Sequence, residues 1–117
     1  MTKICTDIEQ SKLLAEILPK ESADMMWCFD DIEEEPFMFP YRTNIFEDSK
    51  SKDIPAWSLA ALLDLIPFRL DDGSDFFIEK WEDGYMATYG ASCHKYGNEL
   101  VDACYAMILN LHERKLL

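Results

Sequence analysis

Two carboxylates held side by side can bind a divalent cation or divide acid and base roles between them, and the chain clusters them twice. Asp71-Asp72-Gly73-Ser74-Asp75 invites a calcium reading. An EF-hand loop, however, needs oxygen ligands at alternating positions before its glycine, where this chain has Phe68 and Leu70. The segment reads instead as a turn whose Asx side chains bond nearby amides. The second cluster, Asp30 and Asp31 followed by Glu33, Glu34 and Glu35, is the densest charge run. Such a run is ordinarily a solvated loop. Its functional reading is a surface that attracts proteins built to hold phosphate, because fixed negative charge attracts their basic faces. Phe37, Phe39 and Tyr41 follow directly and add an aromatic element to that partner surface.

Cys93-His94 is the one place where a thiol adjoins an imidazole, the pair from which an activated nucleophile is made. Adjacency works against the pairing, since neighbouring side chains of an extended segment point to opposite faces. Cys93 and His94 stand as weak pocket candidates. Cys28, Cys93 and the two histidines match no zinc-ligand spacing. Gly73, Gly84, Gly90 and Gly97 are scattered and form no phosphate-binding loop. No catalytic, cofactor-binding or metal-ligating residue is assigned, and no cofactor is expected.

Composition bounds the partners. Eleven basic against 23 acidic side chains give a formal charge of −12 over 117 residues. That charge repels phosphate backbones and anionic headgroups, disfavouring direct nucleic-acid and membrane binding, while favouring a basic protein partner. It also keeps a small protein soluble. The chain has the length of a single small acidic domain, 1–117, with enough aromatic residues to build its own core. Cys5, Cys28, Cys93 and Cys104 are far apart, with no CxxC pair and no apolar export segment at Met1-Thr2-Lys3-Ile4. They read as free thiols of a reducing cytoplasm.

The elements that would position these residues follow from caps, breakers and periodicity. Thr6-Asp7-Ile8-Glu9 has the form of a capping box opening a helix that carries Ile8, Leu13, Leu14, Ile17 and Leu18 and stops near Pro19. Met25 to Asp30 and Phe37 to Thr43 suit two strands joined through the acidic run, the second irregular or at a sheet edge because of Pro36 and Pro40. Asn44 to Asp53 reads as loop. Ile54 to Pro67 reads as a proline-bracketed helix, apolar nearly all round and therefore central or covered by a second copy in a homodimer. Phe76 to Trp81 and Tyr85 to Tyr89 flank Glu82-Asp83-Gly84, a hairpin signal that would pair Trp81 or Ile78 with Tyr85 or Thr88. Gly90 to Gly97 connects to a last helix, capped by Asn98 and running from Glu99 to about Lys115. Its inward face is Val101, Cys104, Tyr105, Ile108 and Leu111 or Leu109. Most of the strand aromatics read as core. The fold class is α+β in the order α-ββ-α-ββ-α, a mostly antiparallel sheet packed against helices on one face.

On Ile54-Pro55-Ala56-Trp57-Ser58-Leu59-Ala60-Ala61-Leu62-Leu63-Asp64-Leu65-Ile66-Pro67, on Ile4-Cys5-Thr6-Asp7-Ile8-Glu9-Gln10-Ser11 and on Asp102-Ala103-Cys104, the chain resembles short uncharacterised proteins of gut Bacteroides-type bacteria and their prophages or mobile elements. The resemblance covers most of the chain and implies no activity, cofactor or binding residue. Two readings of function stand. One is a non-enzymatic binding or accessory protein, monomeric or dimeric through the 54–66 helix, that uses an acidic or aromatic surface. The other is a small enzyme or ligand-binding protein with a pocket between sheet and central helix near Cys93 and His94.

Overall fold

A computed structural model describes residues 3–28, 37–40, 53–91 and 93–117, with residues 37–40 described as backbone only. The fold is α+β. Its order is α1 (Ile8–Ile17), a 3-10 turn (Lys20–Ser22), β1 (Met25–Cys28), β2 (Phe37–Pro40), β3 (Ile54–Ala56), α2 (Leu59–Leu65), β4 (Phe76–Trp81), β5 (Gly84–Tyr89), β6 (Cys93–Gly97) and α3 (Leu100–Glu113). Two three-stranded antiparallel sheets take the place of the one expected, in the orders β2-β1-β3 and β4-β5-β6. Each expected hairpin gains a third strand. The two sheets add it differently, the first beside its opening strand and the second beside its closing strand, so helix-then-sheet occurs twice without repeating a topology.

The chain forms two compact units, Cys5–Ala61 and Leu62–Leu117 with Met1–Ile4. In the first, α1 opens one residue later than the expected box. Asp7 Oδ1 accepts from the Gln10 amide at 2.8 Å while the Asp7 amide donates to Gln10 Oε1 at 3.0 Å. Thr6 is fully buried instead, its Oγ1 2.7 Å from Ser11 Oγ and accepting from the Trp57 amide at 3.1 Å. Leu14 is buried on the inner side of α1, but Leu13 is exposed. The helix ends at Leu18, one residue before Pro19, as the proline requires.

Trp57 closes this core. It is wholly buried, and its indole N–H donates to Ser22 Oγ at 2.9 Å. Burying a ring of that size removes about 150–250 Å² from water, worth about 4–6 kcal/mol before ordering costs. Pro55 does not open a helix: it lies in β3 opposite Met26, and β3 is an edge strand where a missing amide costs no ladder bond on the free side. The helix starts at Leu59 instead, where Ser58 Oγ accepts from the Ala61 amide at 3.2 Å and is itself bonded to the Asp24 carboxylate. Ala61, Leu62 and Ile66 are buried, whereas Ala60, Leu63 and Asp64 share an exposed face. β2 is likewise an edge strand, as Pro40 predicts.

In the second unit α3 packs on β5 and β6 through Val101, Ala103, Cys104, Met107, Ile108 and Leu111, all buried. Tyr105 and Leu109 are half-buried. Asn98 does not cap the helix: Glu99 occupies the N-cap without a side-chain bond, and the Asn98 side-chain amide lies 3.1 Å from the Tyr96 hydroxyl. Asp102 lies in the first turn and His112 in the last, each favourable to the helix dipole. Asp102 also pairs with Lys3 at 2.6 Å.

The β4–β5 hairpin forms with Trp81 opposite Gly84 and Ile78 opposite Ala87, so its loop is Glu82-Asp83 and Gly84 already belongs to the strand. The glycine meets a different need from a turn. A Cβ on Gly84 would stand 2.5 Å from the Tyr96 hydroxyl and 2.6 Å from the Gly97 carbonyl oxygen. Cys93 to Gly97, expected as connection, forms β6 against β5, and a Cβ on Gly97 would come within 2.3 Å of the Ala103 amide. Before β4, Asp72 Oδ1 accepts from the Ser74 amide at 2.8 Å, the Asx turn expected of that acidic segment, with Gly73 at φ +91°. Among the described residues no helix is long and apolar enough to cross a membrane.

Candidate binding surface

The expected partner surface falls largely beyond view. Asp30, Asp31, Glu33, Glu34, Glu35 and Tyr41 lie outside the described residues, while Phe37 and Phe39 are seen only as backbone of β2, opposite Cys28 and Met26.

Cys93 and His94 do not meet. Cys93 lies opposite Tyr89 on the face of β6 turned to α3, where its Sγ is 4.0 Å from Met107 Sδ and donates to Asn110 Oδ1 at 3.4 Å. Arg114 Nη1 donates to both, at 3.8 Å to the sulfur and 3.3 Å to Asn110 Oδ1. His94 does not join this group, because its ring lies on the opposite face of the strand, bonded through Nε2 to the Ala91 carbonyl oxygen at 2.9 Å. All four cysteines are free thiols. Cys5 and Cys104 are buried, and burial pushes the Cys104 thiol up to about 11. Among the described residues no three His, Cys, Asp or Glu side chains gather where they could hold a metal ion.

A different surface emerges from the register of the second sheet. Cys93 and Gly97 face α3, so His94 and Tyr96 face away from it. Pairing carries that face across the sheet: Tyr96 lies opposite Met86 and His94 opposite Thr88, and these in turn lie opposite Glu79 and Phe77. Trp81, two residues beyond Glu79, completes it. On β4, Phe76, Ile78 and Lys80 share the other face: the Phe76 ring lies 5.3 Å from that of Tyr89, while Ile78 and Lys80 are exposed. Tyr89 belongs wholly to this inner layer, its hydroxyl donating to the Pro67 carbonyl oxygen and its pKa pushed up to about 12 by desolvation and then by Cys93.

On the outward face Phe77 is 59% exposed, Trp81 46% and Tyr96 41%. The rings of Trp81 and Tyr96 lie 6.3 Å apart, inclined by 52°. The Trp81 indole N–H donates to Glu79 Oε2 at 3.2 Å, and the Tyr96 hydroxyl donates to the Asp83 carbonyl oxygen at 2.8 Å, so both rings are held in place. Glu82 and Asp83 stand exposed in the adjoining loop. No Lys or Arg lies on this face of the three strands, and among the described residues none forms an ion pair with Glu79, Glu82 or Asp83. Lys80, on the other face, places its ammonium 4.7 Å from the centre of the Tyr85 ring.

Sequence reasoning read most of the strand aromatics, a set that includes Phe77 and Trp81, as core. The alternation of Phe76 and Ile78 on one face with Phe77 and Glu79 on the other was legible, but it has apolar residues in both sets and only the pairing with β6 tells them apart. Tyr96 was missed along with its strand. No protein-family model, curated protein or solved structure matches this chain.

Proposed function

We propose that the protein is a non-enzymatic binding or accessory protein, of bacterial or prophage origin, that captures a basic protein through an acidic and aromatic surface. The observation that carries this reading is the outward face of β4–β5–β6, where three exposed aromatic rings adjoin carboxylates that have no cationic partner among the described residues. Exposed aromatic rings provide contact area at little entropic cost, and unpaired carboxylates beside them select for positive charge. The net charge of −12 extends that selection to longer range, drawing basic partners in and keeping nucleic acid away. An enzyme working through Cys93 and His94 gains less support, because those side chains occupy opposite faces of one strand.

The test is an affinity pull-down from a bacterial lysate at low and at moderate salt, with the bound proteins identified by mass spectrometry. A basic protein recovered at low salt and released as salt rises is the expected result. Recovery of neutral or acidic proteins alone, indifferent to salt, would overturn the reading.

A further inference from the structure

We infer that the outward face of β4–β5–β6 receives an arginine side chain from a basic segment of the partner, its guanidinium stacked on the Trp81 ring and bonded to the Glu79 carboxylate. This rests on the binding-protein reading above and names the group that the surface recognises. The 3.2 Å bond from the Trp81 indole N–H holds the Glu79 carboxylate at the edge of the ring, near its plane. A carboxylate has about four acceptor positions, and the indole uses one of them. A planar cation lying on the exposed ring face therefore finds acceptors at the ring's edge, within reach of its own donors.

Geometry favours arginine over lysine. The guanidinium is flat, weakly hydrated and carries its donors in a fork, so it can stack on an aromatic face and bond a carboxylate in its own plane at the same time. An ammonium is a compact and strongly hydrated charge that cannot do both with equal gain. Tyr96, inclined by 52° to Trp81, forms a side wall, and its hydroxyl is held by Asp83 and Asn98. Phe77, two residues from Glu79 on the same face, offers apolar surface to the methylene stem. Glu82 and Asp83 in the adjoining loop supply charge for a second basic residue of the same segment. Among the described residues, Lys80 is turned to the other face and Arg69 is paired with Asp75 at 2.7 Å.

Isothermal titration of the full chain with three synthetic peptides tests this: one with arginines spaced by glycine and serine, its lysine counterpart and its citrulline counterpart. The arginine peptide should bind roughly fivefold more tightly than the lysine peptide, and the citrulline peptide should not bind measurably. Trp81→Leu should weaken arginine-peptide binding roughly fivefold and Glu79→Gln roughly tenfold, since stacking on an exposed ring is worth somewhat less than a charge-assisted bond. Both sites are at the surface, and far-UV circular dichroism reports whether each variant folds. Replacing Glu33, Glu34 and Glu35 together by Gln should leave the arginine preference unchanged. Equal affinity for the arginine and lysine peptides, unaltered by Trp81→Leu and Glu79→Gln, overturns the inference but leaves a basic partner captured elsewhere on the acidic surface. Failure of every basic peptide, together with an empty pull-down, overturns both. A wild-type dimer in sedimentation that Trp81→Leu converts to monomer would make a second copy the occupant, and that also overturns the inference.

Discussion

Thr6→Val tests the buried polar chain that joins the start of α1 to the segment carrying Trp57. Ser11 Oγ lies 3.3 Å from the Thr6 carbonyl oxygen and donates to it, so the 2.7 Å contact between the hydroxyls is filled by the Thr6 hydrogen. The Trp57 amide in turn donates to Thr6 Oγ1 at 3.1 Å. The direction is therefore Trp57 N–H to Thr6 O–H to Ser11 O–H to the Thr6 carbonyl, within residues that are wholly buried. Valine keeps the shape but leaves the Trp57 amide without this acceptor, which costs about 2–3 kcal/mol. Ser11→Ala removes the acceptor of the Thr6 hydroxyl together with a donor to the Thr6 carbonyl oxygen, which still accepts from the Trp27 indole N–H at 2.9 Å, and costs about 1–2 kcal/mol. The double variant leaves no stranded hydroxyl, so it should cost about 1 kcal/mol less than the sum of the two singles. Urea unfolding of the four proteins measures the cycle, and Thr6→Val should lower Tm by roughly 4 °C for each kcal/mol lost. Additive costs, or a Thr6→Val effect below about 0.5 kcal/mol, would refute the connected chain.

Gly97→Ala should destabilise by at least about 2–3 kcal/mol in urea unfolding, because the new methyl meets the backbone of Asp102 and Ala103 and the first turn of α3 must move. Alkali should weaken the fold through Cys104. Its folded-state pKa of about 11 lies above the ordinary thiol value of 9.0, so the unfolded chain loses the proton first. The contribution is fully present below pH 9, declines as pH rises from about 9 to 11, and amounts to on the order of 2 kcal/mol. Unfolding curves at pH 8, 9, 10 and 11 should show this slope in the wild type and a shallower one in Cys104→Ala. A native thiol titration with a disulfide reagent should modify Cys28 and Cys93 within minutes and Cys5 and Cys104 only on unfolding. Fast modification of all four would contradict the burial.

The sequence by itself determined the α+β class, the stop at Pro19, the β4–β5 hairpin, the last helix and the edge position of β2. Each follows from local chemistry: a proline that cannot continue a helix, a turn between apolar runs, a 3.6-residue apolar repeat, or a strand amide that is missing. The tertiary structure decided the rest, and the reason is the same wherever local preference and long-range pairing compete. Pro55 suits a helix start or an edge strand equally well, and pairing with Met26 placed it in β3. Cys93-His94-Lys95-Tyr96-Gly97 has little strand character of its own, yet it forms β6 because β5 supplies the ladder and Gly97 lets α3 approach. Asp-Gly at residues 83–84 marked the hairpin, while the need for glycine came from Tyr96, a residue of another strand. The outward face followed from these choices. Alternation along β4 separates two sets of side chains, both with aromatic members, and only the packing of β6 on α3 decides which set lies on the face turned away from the helix.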